Sequence, residues 1–188
     1  MAKTIQFTED DLKKYSLLTN ILGLEDLDVI KEEYDNRSNI LHLYCTSRWD
    51  VALCPNCLQL SSQVHDYPKQ RQIHDAPLRG QKTVLVFDSV RFDCDGCGKP
   101  FTQLIRDVVP ECTYTQRLYE EMADPRRKQD VATLAELYGV GYKLAESILL
   151  KAGEAKLAHR RNEPIEVAHL GIDEISKKRT RTVCASPD

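Results

Sequence analysis

Four cysteines in two Cys-x-x-Cys pairs are the residues of this chain best suited to chemistry. Cys54-Pro55-Asn56-Cys57 and Cys94-Asp95-Gly96-Cys97 are separated by 36 residues. Each pair puts two sulfurs on one tight turn. Four thiolates from two such turns complete a tetrahedral zinc shell with no open position, which is the donor set of a structural zinc. Zn²⁺ on Cys54, Cys57, Cys94 and Cys97 is therefore the expected cofactor. Gly98 follows the second pair, where such turns often take a left-handed conformation. Leu58 follows the first and is expected to weaken that turn. No thioredoxin-like βαβ pattern surrounds either pair, which argues against a redox role. His65 and His74 are the alternative ligands. Cys45, Cys112 and Cys184 read as small apolar residues or exposed thiols. Seven cysteines, an odd number with four in metal spacing, fit a reducing cytoplasm and not a disulfide framework.

The elements around the cysteines are short. Residues 9–22 carry apolar side chains at helical spacing and end at Gly23. Residues 29–34 and 40–45 alternate apolar and polar side chains around Asp35-Asn36-Arg37-Ser38-Asn39, which predicts a hairpin leading into the first cysteine turn. Residues 73–80 read as a turn-rich stretch. Residues 83–92 read as a strand leading into the second pair. From 115 the pattern turns helical: 115–123, then 131–138 capped by Asp130, then 142–152 closed by Gly153. Gly139-Val140-Gly141 separates the last two. A strand over 167–173 follows Pro164. No internal repeat is evident.

Composition sets further bounds. The chain has 188 residues, 41% hydrophobic and 29% charged, as in a soluble globular protein. No apolar run approaches the roughly 18 residues of a membrane span, so no membrane partner is expected. The formal net charge of −3 hides an asymmetry. Acids dominate residues 1–35, whereas 69–106 and 113–161 are net basic. An acidic whole chain therefore remains compatible with a nucleic-acid face.

Ala135, Gly139, Ala145 and Ile148 stand where a helix-turn-helix needs a small contact residue, a turn glycine and an apolar anchor. That motif would present Tyr142, Lys143, Glu146 and Ser147 to DNA bases. Arg126, Arg127, Lys128, Arg160 and Arg161 would contact phosphates, with Arg71, Arg79, Lys82 or Arg91 adding contacts from the cysteine region. The same residues also suit a helix-hairpin-helix, in which the Gly-Val-Gly amides hold a phosphate and no base is read.

The order of parts resembles the ISL-three group of bacterial insertion-sequence transposases. The resemblance rests on Cys54-Pro55-x-Cys57, His74-Asp75-x-Pro77 with Gly80, and Val90-Arg91-Phe92-x-Cys94-x-x-Cys97. It continues through Phe101, Thr115-x-Arg117-Leu118 and Leu170-Gly171-Ile172-Asp173-Glu174. It implies a zinc finger, a helix-turn-helix and then a DDE catalytic domain of RNase H-like fold. Asp173 would be the first catalytic carboxylate. The chain then reads Lys177-Lys178-Arg179 and ends nine residues later. Two-metal phosphoryl transfer needs several carboxylates around ions roughly 3.5–4 Å apart, so Mg²⁺ is expected only in a complete transposase.

The resulting expectation is an α+β chain of small units. Residues 1–48 form a helix and hairpin, 49–112 a zinc-ribbon-like domain, 113–162 a helix-turn-helix unit and 163–188 a stub of the RNase H-like domain. The expected function is sequence-specific binding of double-stranded DNA at element terminal inverted repeats by a truncated, catalytically incomplete transposase. The expected location is cytoplasmic and nucleoid-associated, with a homodimer allowed. Two alternatives remain: the first part of an active transposase completed by a frameshifted reading frame, and a zinc-dependent protein-interaction module.

Overall fold

The structure, a computed structural model, describes residues 8–160 apart from 68, 125 and 128, with 159 and 160 described as backbone only. The expected strand at 167–173, Asp173, Lys128 and Arg161 lie outside the described residues.

Helix α1 (Glu9–Leu22) begins at Thr8, whose hydroxyl accepts the Asp11 N–H while the Asp11 carboxylate accepts the Thr8 N–H. This reciprocal capping satisfies two otherwise orphaned donors. Gly23, at φ 65°, closes the helix as expected. Strands β1 (Leu27–Asp35) and β2 (Ile40–Ser47) form the expected antiparallel hairpin.

Residues 73–80 differ from expectation, and the strand expected over 83–92 is present but breaks after Asp88. Pro77 and Gly80 suggest a loop, but residues 70–88 form β6 (Gln70–Leu78) and β7 (Gln81–Asp88). Proline is tolerated on an edge strand or at a bulge. Pro77 lies in both, since β6 is the outer strand and its register shifts between Asp75 and Leu78. The sheet order is β1-β2-β7-β6, with β2 and β7 parallel. The sheet thus joins strands from both sides of the 48/49 division expected from sequence. A lone two-stranded hairpin is marginal in water. Here Leu43 of β2 is abreast of Leu85 of β7, which is abreast of Ile73 of β6. Tyr15 and Leu22 of α1 pack in the same core, with Leu27, Val29, Phe87, Ile105 and Val108.

Three helices follow. Thr115 caps α2 (Gln116–Met122), Asp130 caps α3 (Val131–Tyr138), and α4 runs from Tyr142 to Arg160. The expected stop at Gly153 does not occur. Mid-helix glycine costs only about 1 kcal/mol relative to alanine, and the helix formers Glu154, Ala155, Lys156 and Leu157 carry α4 onward. Leu118, Met122, Leu134, Ala135, Tyr138, Ala145 and Ile148 form a second core.

One buried ion pair fastens this helical unit to the sheet. Asp75 of β6 has no exposed surface and receives the Arg117 guanidinium, the Thr115 hydroxyl at 2.7 Å and the Ala76 N–H at 2.8 Å. Beside it His74 N–H donates to Thr113 O, and Thr115 N–H to His74 O, both at 2.9 Å. Among the described residues no helix is long and apolar enough to cross a membrane.

Candidate metal centre

Two short hairpins carry the cysteines. The first pairs β3 (Ala52–Leu53) with β4 (Leu60–Ser61), and the second pairs β8 (Arg91–Asp93) with β9 (Pro100–Thr102). Strand β5 (Val64–Asp66) adds to β8. Ala52 faces Ser61 in the first hairpin and Phe92 faces Phe101 in the second. Each member of the second pair lies 40 positions after its counterpart, as Cys94 lies 40 after Cys54. The hairpins are therefore a structural repeat that sequence reading missed. Their shared signal is little more than the Cys-x-x-Cys spacing.

The turns also match. Cys54 O accepts the Leu58 N–H at 2.9 Å, and Cys94 O accepts the Gly98 N–H at 2.8 Å. Leu58 (φ 59°) and Gly98 (φ 66°) both adopt the left-handed conformation. The sequence expectation of strain at Leu58 takes physical form here, because a side chain in this region costs roughly 1–2 kcal/mol.

The two turns meet sulfur to sulfur. Cys54 and Cys97 Sγ are 3.8 Å apart, Cys57 and Cys94 Sγ are 3.3 Å apart, and all four lie within 4.8 Å of one another. With Zn–S bonds of about 2.3 Å, a tetrahedron has S···S edges of about 3.8 Å. The site fits a four-thiolate zinc. Electrostatics agree with the geometry. Cys94 is lowered to about 7, chiefly by the Cys97 backbone N–H. The Gln59 N–H favours the Cys57 thiolate, yet the crowding of Cys94, Cys54 and Cys97 and partial desolvation push Cys57 up to about 12. A divalent cation would relieve that crowding by holding all four as thiolates. Among the described residues this is the one group of metal-ligating side chains.

The alternative ligands stand aside. His65 Nδ1 pairs with Asp93 Oδ2 at 3.0 Å. His74 lies in β6, where burial lowers its pKa. Cys45 is buried in the sheet core and desolvation pushes its thiol up.

The residues expected to meet DNA fall into two groups. Tyr142, Lys143, Glu146 and Ser147 are exposed on α4, while Ala135, Ala145 and Ile148 are buried. Others are engaged internally. Arg126 pairs with Asp124 at 2.7 Å, which drives that carboxylate down to about 2. Arg127 reaches Glu121 at 3.4 Å and lies over the Tyr138 ring. Arg71 donates to Cys112 O at 3.0 Å, and Arg91 pairs with Asp66 at 3.4 Å. Arg160 is placed only as the last residue of α4.

Residues 50–97 match a family model described as the zinc-finger of transposase IS204/IS1001/IS1096/IS1165. The match spans both cysteine pairs and the β6–β7 hairpin between them. This region is a transposase-type zinc ribbon with a four-cysteine site. No curated protein and no solved structure matches the chain.

Proposed function

We propose that this chain is a zinc-stapled, sequence-specific binder of double-stranded DNA from an ISL-three-type transposase. In this reading it recognises the terminal inverted repeats of its element. The observation that carries the reading is the polarity of α4. Its first two turns present Tyr142, Lys143, Glu146 and Ser147 to solvent, while Ala145 and Ile148 anchor it to the second core. An amphipathic helix held from behind, with polar and aromatic residues outward, is what a major groove accepts. The zinc holds the ribbon together and takes no part in chemistry.

The helix-hairpin-helix is the weaker reading. Gly139 N–H donates to Glu136 O at 3.2 Å and Val140 N–H to Ala135 O at 3.0 Å. Two of the three amides that would hold a phosphate thus already cap α3. Asp173 as a catalytic carboxylate rests on the family resemblance alone.

Selection of bound duplexes from a random DNA pool tests the reading. A preferred sequence is expected. Lys143→Ala should lower affinity for that sequence by roughly 1–3 kcal/mol and for others little. Binding without any preference, lowered uniformly by Lys143→Ala, would favour the hairpin.

A further inference from the structure

Most arginines among the described residues are engaged within the protein. Arg48 pairs with Asp28, Arg91 with Asp66, Arg106 with Asp26, Arg117 with Asp75 and Arg126 with Asp124. At the β6–β7 turn the situation differs. Arg79 is exposed and Lys82 half-buried, and among the described residues neither side chain has an ion-pair partner.

Packing sets where Lys82 sits. A methyl group built on Gly139 would overlap the Cβ, Cγ and Cδ of Lys82. The stem of Lys82 therefore lies against the left-handed residue at which α3 turns toward α4. Tyr142 and Lys143 follow within four residues, both exposed. Only glycine gives that clearance and also accepts φ 66° without strain. The hairpin is held from its other side as well. Lys82 N–H donates to Asn39 O at 3.2 Å, and Asn39 Nδ2 to Gly80 O at 3.5 Å. The Asp75–Arg117 pair fastens β6 to α2. The hairpin tip and the α3–α4 corner are thus placed side by side by packing, hydrogen bonds and one buried charge pair.

We propose that the β6–β7 turn and the first turn of α4 form one face for duplex DNA, with Lys82 and Arg79 on backbone phosphates beside the groove that α4 enters. The proposal rests on the DNA-binding reading above. Unpaired cations set next to an outward helix suit a polyanion, because they neutralise phosphates and release condensed counterions. Such contacts position the helix and carry no base information. The sheet, held by the zinc ribbon, would thereby set the register of α4 on the duplex. Arg71 and Arg91, already engaged, are not part of this face.

The test uses the full zinc-loaded chain and two duplexes of equal length, its selected site and an unrelated sequence, titrated at several salt concentrations. Lys82→Gln keeps the Cβ, Cγ and Cδ that pack on Gly139 and removes the charge. Lys82→Gln and Arg79→Gln are each expected to weaken binding to both duplexes by the same factor. Each should also flatten the plot of log affinity against log salt by about one unit. Lys99→Gln, which removes an exposed charge from the second cysteine turn, should change neither quantity. Native affinity and salt slope in both hairpin variants would overturn the proposal and leave the DNA-binding reading standing. Loss confined to the selected site would also overturn it, since that signals base contact. Failure of the unaltered chain to bind any duplex would overturn both.

Discussion

The two cysteine hairpins share register, turn hydrogen bonds and metal spacing, yet they use their side chains oppositely. In the second, Phe92 and Phe101 face each other inward with ring centroids 6.0 Å apart, and the outward positions are Asp93, Gly98 and Pro100. In the first, the inward pair is small, Ala52 and Ser61, and the outward positions are Leu53, Leu58 and Leu60. Leu58 is 70% exposed and strained. One repeat therefore supplies the ribbon's core and relaxed turn geometry. The other supplies only small buried side chains, Ala52, Cys54 and Ser61, with a hydrogen bond from Ser61 to Asp93 O. Metal spacing is common to both hairpins, whereas the large side chains of the shared core belong to the second.

The largest expected effect tests what they share. Structural zinc contributes roughly 10 kcal/mol or more to the folding of small domains. Elemental analysis should find one zinc per chain. Chelation, Cys54→Ser or Cys94→Ser should each expose 50–102 to protease. Lowering the pH should do the same, because protons compete with the metal for thiolates. Equal loss from either cysteine is expected; survival of the ribbon without Cys54 would make the first hairpin dispensable. Packing comes next. Phe92→Ala should cost about 3–5 kcal/mol in the zinc-loaded protein. Ser61→Ala in the first hairpin should cost only about 1 kcal/mol, the net worth of one hydrogen bond. Denaturant titration measures both, and comparable losses would erase the asymmetry. The smallest effect lies at the turn. Leu58→Gly relieves roughly 1–2 kcal/mol of left-handed strain and gives back about 0.5–1 kcal/mol in chain entropy. The melting temperature should rise slightly, whereas Gly98→Leu should lower it.

The cysteine shell, α1 with its glycine stop, the first hairpin and the α3 cap were legible from local pattern. The caps and the hairpin depend on residues near one another in the chain, and each half of the cysteine shell carries its own Cys-x-x-Cys signature. Strand β6 was hidden because Pro77 and Gly80 carry a loop signature, and only the edge position and bulge make proline acceptable. The β2–β7 pairing was hidden because it is parallel and spans the whole first cysteine turn. The length of α4 was misjudged because glycine ends a helix only where the chain takes up the left-handed state. The Asp75–Arg117 pair left no local trace: two charges 42 positions apart become partners only after the sheet forms.

That parallel pairing carries a consequence for how the protein assembles. Strands β2 and β7 run side by side with Cys45 abreast of Phe87, and each leads out of the same end of the sheet toward one cysteine turn. The ladder acts as a ruler that brings the two turns to the same height. A slip of one residue would displace one turn by about 3.3 Å and send every side chain of that strand to the wrong face. The sulfurs would then no longer surround one point. An ion held by all four sulfurs would therefore report that β2 and β7 are in register, in a pairing of the non-local kind that forms late.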